Sequence, residues 1–333
     1  MRVAVIGATG HVGSYLVPRL VRAGHEVVAV TRGLSQPYHP DPAWEAVQRV
    51  QLDREAGDAD GTFAPAIADL DVDAVIDMVC FTVDSAQKLV DGLRGRVSLL
   101  LSCGTIWIHG PGTAVPLAEE DAREPFGEYG VNKDAIEKLL LAESQTPGGV
   151  ASVVLHPGHI TGPGWNMINP AGNLDLDVWR RLAGGEEVVL PNFGLETVHH
   201  VHADDVAQGF ELALTNPGAV GHGFHLVSDR ALTLRGFAAA VAGWFGEQPV
   251  LRFEPFDRFA ESAGQDHAAA TWEHISRSPS ISIEKSRRIL GYEPRYSSLR
   301  AVGEALQRLI DDGQVETRGR AVPGHVLHDR PSP

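Results

Sequence analysis

Cysteine is scarce in this chain. Only Cys80 and Cys103 occur in 333 residues, and both lie in apolar runs that read as buried strands. Two such thiols cannot build a disulfide framework, and their spacing fits no metal motif. Positive charge is also in deficit. Lys and Arg number 28 against 43 Asp and Glu, a formal net charge of -15. A field of that sign repels phosphate backbones and anionic lipid, so neither nucleic acid nor a membrane is expected as a partner. No apolar run reaches the length of a membrane span. Met1-Arg2 leads into the short run Val3 to Ile6, too brief for a signal peptide core, so a cytoplasmic protein is expected. Internal repeats and low-complexity tracts are missing as well.

What is present is a globular composition, 43% hydrophobic and 21% charged. The length suits two lobes. Val3–Ile6, Glu26–Thr31, Ala74–Val79, Val97–Ser102 and Ala151–His156 are short apolar runs separated by helical stretches such as Lys133–Glu143. Strands apolar on both faces and alternating with helices predict a parallel sheet covered on both sides. The fold class expected is α/β: a doubly wound parallel Rossmann sheet with a smaller mixed α/β C-terminal substrate lobe.

The expected boundaries are 1–165 for the dinucleotide-binding domain, with 203–228 returning to it. Residues 166–202 and 229–315 form the substrate lobe, and 316–333 a mobile polar tail. Within the second half, Leu174–Leu182 reads as a helix, and Val188–Leu190 and Thr197–Val201 as strands. Asp204 or Asp205 is expected to cap a helix to Leu214, and Thr233 one to Phe245. Gly223–Val227 reads as a strand, and Ser282–Leu290 as a helix ended by Gly291 and Pro294.

Gly7-Ala-Thr-Gly10-His-Val-Gly13 follows the first strand and opens a helix. Gly7 permits a tight turn, Gly10 lets backbone approach a pyrophosphate, and Gly13 lets helix and strand pack closely. Gly7, Thr9, Gly10, His11, Val12 and Gly13 are therefore expected to bind a dinucleotide at a helix N-terminus. Pro18 interrupts that helix without an evident reason. Arg32 stands 19 residues after Gly13, where an NAD enzyme usually places an acid. An arginine there can pair with a 2′-phosphate, so NADP is the expected cofactor and NAD the alternative. Asp53, at the end of Val50–Asp53, falls where a strand end would face the adenine; it could equally cap a turn.

Tyr129 and Lys133 lie four residues apart on one helix face. An ammonium near the phenol would lower its pKa, and a Tyr so tuned can exchange a proton while a nicotinamide exchanges a hydride. The sequence here resembles the extended short-chain dehydrogenase/reductase family, the NAD(P)-dependent epimerase/dehydratase group. The resemblance spans nearly the whole chain. It rests on Gly7–Gly13, Tyr129-Gly-Val-Asn-Lys133 with Glu137, Leu155-His-Pro157, Gly162-Pro-Gly164, Val201–Ala207 and Lys285–Pro294. It implies Thr105, Tyr129 and Lys133 as catalytic residues, with Ser102 the fallback for Thr105. It also places Lys133 and Pro157 against the cofactor, and implies a homodimer through a helix pair that includes the Tyr129 helix.

The loop from Gly158 to Asn173 and the strand from Thr197 are expected to line the substrate pocket. The residues expected to touch a small-molecule substrate are Thr105, Trp165, Asn166, Asn169 and His200. Relatives that act on nucleotide sugars often carry an arginine where this chain has Val198, and another where it has His156. Arg252, Arg258, Arg277, Arg287 and Arg295 are candidates to replace that charge. The His199-His200-x-His202 cluster lacks completing ligands, so no metal is expected.

The leading expectation is an epimerase, less readily a dehydratase, of a nucleotide-linked sugar; Ile106-Trp107 lacks the acidic pair that dehydratases usually carry. The alternatives are an NADPH-dependent reductase or dehydrogenase of a smaller carbonyl or alcohol, and a non-catalytic dinucleotide- or RNA-binding relative.

Overall fold

The computed structural model describes residues 1–328. Its strands are β1 (Arg2–Ile6), β2 (Glu26–Thr31), β3 (Gln48–Gln51), β4 (Ala74–Asp77), β5 (Leu99–Cys103), β6 (Ser152–Pro157), β7 (His159–Thr161), β8 (Glu187–Pro191), β9 (Thr197–Val198), β10 (His200–His202), β11 (Gly223–Leu226), β12 (Leu232–Thr233) and β13 (Val250–Glu254). The first-half helices are α1 (His11–Arg22), α2 (Arg54–Asp60), α3 (Phe63–Ala68), α4 (Val83–Leu93) and α5 (Gly127–Ser144). The second half adds α6 (Leu176–Gly184), α7 (Ala203–Thr215), α8 (Leu234–Trp244), α9 (Phe256–Ala263), α10 (Gln265–Ile275), α11 (Glu284–Leu290), α12 (Ser298–Asp311) and α13 (Gly324–Leu327).

Seven strands form one sheet in the order β11-β6-β5-β4-β1-β2-β3, all pairs parallel. Successive side chains feed opposite cores. Val3 and Val5 face a cluster with Leu16, Leu20 and Phe210 of α1 and α7, whereas Ala4 and Ile6 face Phe63, Leu89, Ile136 and Leu140. That is the doubly wound arrangement expected. The strand order reverses beside β1, and the crevice at such a point is where this architecture takes its ligand.

The second lobe packs around Trp179, Leu190, Phe237, Val241 and Leu306. Trp179 and Phe237 meet edge to face at 5.8 Å. Several expectations need correction here. Helix α6 starts at Leu176 because the Asp175 side chain accepts from the Asp177 amide. Thr197–Val201 is split: β9 pairs antiparallel with β12, and β10 pairs parallel with β7. His202 rather than an aspartate caps α7, its Nδ1 accepting from the Asp204 amide at 3.0 Å. The Asp205 carboxylate instead accepts the amides of Arg295 and Tyr296.

Two boundaries also shift. Ile281, Ile283, Leu290 and Tyr292, expected in the substrate lobe, join the core of the first lobe. The segment expected to be a mobile tail is packed as far as it is described. Val322 and Val326 are buried against the second lobe, with Val326 over Gly303. Arg320 donates to the carbonyls of Phe245 and Ala183 and pairs with Glu247. Residues 329–333 of that expectation lie outside the described residues.

Candidate active site

The glycine turn is built as its sequence requires. Gly7 has φ +84°, and a side chain there would strike Val79. A Cβ on Gly13 would lie 2.3 Å from the Ala8 carbonyl oxygen, so only glycine lets α1 start this close to β1. Gly10 lines the cleft and caps α1 without a side-chain hydrogen bond, so the first-turn amides of His11 to Gly13 have no side-chain cap. An uncapped helix N-terminus fits a pyrophosphate.

The adjoining cleft has a volume of about 610 Å³, and Gly7, Thr9, Gly10, Arg32, Asp53 and Phe81 line it. These residues fit a dinucleotide, and the cleft carries both signs of charge, Arg32 and Arg54 beside Asp53, Glu55, Asp58 and Asp84. Arg32 and Ser35 both line it, with the Ser35 hydroxyl 3.1 Å from that of Thr9. Asp53 both lines the cleft and caps α2 through the Ala56 amide. The sequence reading missed Arg54 and Phe81. Arg54 forms the floor, bonded to Asp77 at 2.5 Å and to Ser85 at 2.7 Å. Burial opposes its charge, but Asp77 and Asp58 hold the guanidinium protonated.

Tyr129 and Lys133 share a face of α5, and the structure brings both to the end of β5. The Lys133 ammonium donates to the Cys103 carbonyl at 2.6 Å and lies 5.0 Å from the Phe81 ring centroid. The Tyr129 ring is 40% exposed to the cleft, walled by Trp107 edge to face at 5.7 Å and by Phe81 at 6.4 Å. Its phenol meets the Thr105 hydroxyl. Thr105 is held in turn, with its hydroxyl accepting from the Trp107 amide.

The electrostatic balance differs from the one expected. Burial pushes the Tyr129 phenol up, with Cys103 acting the same way and the Thr105 hydroxyl opposing. The Lys133 ammonium stands 5.7 Å from the phenol ring centroid and spends a donor on backbone, so without cofactor the phenol stays protonated. Ser102, the fallback for Thr105, is buried in β5.

The substrate side departs further from expectation. Pro157 ends β6 beside the crevice. Trp165 stacks on His11 at 5.2 Å with ring planes 5° apart. Burial, then His202 and His39, lower the His11 pKa to about 3. Asn166 turns its amide to the Leu174 carbonyl. Asn169 and His200 cannot line a pocket. Both are fully buried: Asn169 knits its own loop through Asn173 and Asp175, and His200 reaches the Ile168 carbonyl. His199 bonds the Ser228 carbonyl and accepts the Ile281 amide, so the three histidines point to three different protein partners.

The candidate arginines are committed too. Arg252 pairs with Glu187, Arg258 with Glu261, Arg287 with Asp229 and Arg295 with Asp204. Arg277 lies buried between the rings of Trp107 and Phe126, bonding Glu273 and the Phe126 carbonyl. Val198 is fully buried. Trp107, edge to face with Tyr129, and His274, 5.6 Å from Trp107, are neighbours the sequence did not flag.

A glycine turn on a doubly wound sheet, with a Thr–Tyr–Lys set nearby, is the arrangement of the extended short-chain dehydrogenase type. The sequence model of the NAD dependent epimerase/dehydratase family matches residues 3–227, and the chain belongs to that family. The chain is 31% identical over 237 residues to 2'-dehydrokanamycin reductase of Streptomyces kanamyceticus, covering 71% of this chain and 64% of that protein. It therefore spans somewhat under two thirds of that relative. It is 24% identical over 310 residues to a chloroplast stem-loop binding protein of 41 kDa of Arabidopsis thaliana, covering 89% and 75%. Its fold resembles UDP-glucuronic acid 4-epimerase from Bacillus cereus, solved with UDP-glucuronic acid and NAD. That TM-score is 0.69 at 16% identity, over 93% of this chain and 99% of the other.

Proposed function

We propose that this chain is an NADP(H)-dependent reductase of a carbonyl on a polyhydroxylated, sugar-type substrate that carries no nucleoside diphosphate. One observation carries the reading. Every arginine expected to grip a diphosphate is spent on an acid or a carbonyl of the protein, and Val198 stands where relatives place another. The protonated phenol agrees, because reduction needs a proton donor and oxidation needs a base.

In this reading the substrate carbonyl oxygen sits between the hydroxyls of Thr105 and Tyr129. Thr105 donates a hydrogen bond that stabilises the developing oxyanion. The bound nicotinamide supplies the hydride. Tyr129 delivers the proton to the oxygen, and Lys133 stabilises the phenolate left behind. Phe81 and Trp107 flank the Tyr129 ring and would wall the reacting face. Arg32 and Ser35 would take the 2′-phosphate. The α5 helix would form part of a homodimer interface, as the family resemblance implies, and a cytoplasmic location is the consistent setting.

A second reading is an epimerase of a nucleotide-linked sugar, supported by the likeness in fold to a UDP-sugar epimerase. There Tyr129 would first act as the base. A non-catalytic RNA-binding relative is disfavoured by the net charge of -15 and by the assembled Thr105–Tyr129 pair.

The test is stoichiometry. Purified protein is incubated with NADPH and a panel of keto sugars, while nucleotides copurified with it are read by mass spectrometry. One NADPH oxidised per product formed, on protein purified free of dinucleotide, supports the reductase. Tightly held NAD⁺ and product formation without net absorbance change would favour the epimerase.

A further inference from the structure

Two residues of α5 contact the segment at the end of β5, and a third reaches it indirectly. Tyr129 meets the Thr105 hydroxyl and Lys133 meets the Cys103 carbonyl. One turn on, Glu137 reaches the same loop through an intermediary. Its Oε1 lies 3.0 Å from His156 Nε2, and His156 Nδ1 accepts the Thr105 amide at 3.2 Å. That amide fixes the tautomer: Nδ1 is bare, so Nε2 carries the proton and donates it to Glu137.

The chain of contacts is shielded and braced. His156 is fully buried and Glu137 nearly so. Burial works against a charged Glu137, yet His156 and Arg123 hold its carboxyl well below the usual range. Arg123 is anchored to the Glu119 carbonyl at 3.0 Å. Two glycines make room for the pair. A Cβ on Gly104 would lie 2.3 Å from His156 Nδ1, and one on Gly223 would lie 2.3 Å from Glu137 Oε1. The backbone is thus cut away wherever the imidazole must approach Thr105.

We infer that His156, oriented by Glu137 and Arg123, is a positioning residue that fixes the backbone of Thr105 and so aims its hydroxyl at the reacting oxygen. This rests on the reading of Thr105 and Tyr129 as the proton-transfer site. A displacement of that hydroxyl by a fraction of its bond length changes the reaction far more than it changes ligand binding. His156 therefore belongs to turnover through its bond to the Thr105 amide, without touching substrate.

Two variants separate positioning from packing. In His156→Asn the side-chain oxygen replaces Nδ1 and keeps the acceptor for Thr105, but the Glu137 contact is lost. In His156→Gln the polar end replaces Nε2 and keeps Glu137, but Thr105 loses its acceptor. The readouts are NADPH-dependent reduction of L-erythrulose and deuterium exchange of the Thr105 amide in the NADPH-bound protein. The expected result for His156→Gln is kcat lower by about ten- to hundred-fold, with KM and NADPH affinity within about twofold and faster Thr105 exchange. His156→Asn is expected to keep kcat within about threefold and to keep the amide protected.

Equal losses in both variants, or an unchanged kcat and amide in His156→Gln, would overturn the inference. Should the glutamine variant not fold, the asparagine variant decides alone: retained kcat and protection support the inference, and their loss overturns it. Should the wild type not turn over L-erythrulose, the reductase reading is what suffers. Thr105 exchange then decides the positioning role, since it needs no substrate.

Discussion

Around the cofactor cleft, polar groups face open space with bonding capacity to spare: the first-turn amides of α1, the Arg32 guanidinium and the Tyr129 phenol. In the second lobe several groups expected to face a substrate are turned inward instead. Asn169, Asn173, His199 and His200 knit loops together, and Arg277 is clamped between two rings. The contrast teaches where charge recognition resides in this chain. The first lobe is equipped to hold an anionic dinucleotide and move a proton. The second brings His274 edge to face with Trp107 and otherwise spends its buried polar groups on its own loops.

The sharpest way to break that contrast is to silence the first lobe's chemistry alone. Tyr129→Phe removes the proton donor and keeps the ring between Trp107 and Phe81. Turnover should fall about a thousandfold while NADPH binding, followed by fluorescence titration, changes little. Near-normal turnover would remove the proposed role.

Next in size is Arg277→Ala. If the second lobe's arginines are structural, this variant should lose about 3 kcal/mol of stability, since it strips partners from Glu273 and the Phe126 carbonyl and leaves a void between two rings. Thermal unfolding measures the loss, and NADPH affinity should hold. Unchanged stability with a raised KM would instead make Arg277 a substrate ligand.

Acid should expose buried histidines of both lobes. Burial lowers the pKa of His199 to about 4, and burial with Arg123 and His156 lowers that of His109 to about 4. The unfolded chain takes up protons at these rings below about pH 6.5, and the folded chain refuses them until about pH 4. Their stabilising effect is thus full above pH 6.5 and is lost as pH falls through that window, by about 1.4 kcal/mol per pH unit for each ring. A melting temperature flat from pH 7 to pH 4.5 would contradict this.

The smallest effect sharpens cofactor choice. Arg32→Ala should weaken NADPH about tenfold and leave NADH nearly unchanged, read as the two dissociation constants. Equal weakening of both would show that Arg32 does not read the 2′-phosphate.

Much of the first lobe was legible because its signals are local. The run Val3–Ile6 followed by Gly7–Gly13 encodes strand, turn and helix within a dozen residues, and Tyr129 and Lys133 share a face by spacing alone. Thr105 was legible only through family resemblance. Arg54, Phe81 and Trp107 were not legible, since their roles come from contacts across the sheet. Asn169 was misread because a loop rich in Asn and Gly looks polar and open in sequence, and His200 because a three-residue strand does not reveal which of its sides is buried. Folding spends those amides on the loop's own backbone. The final segment was misread for the converse reason: two valines four residues apart, Val322 and Val326, suffice to pin a largely polar stretch.

The most direct measurement is deuterium transfer from the nicotinamide. The protein is incubated with NADPH deuterated at the reactive ring carbon and a keto sugar it reduces, and the product is read by mass spectrometry and NMR. Deuterium at the new carbinol carbon, one NADPH consumed per product, and loss of both in Tyr129→Phe are the expected results. Product formed without deuterium and without NADPH consumption would contradict net reduction at the Thr105–Tyr129 site.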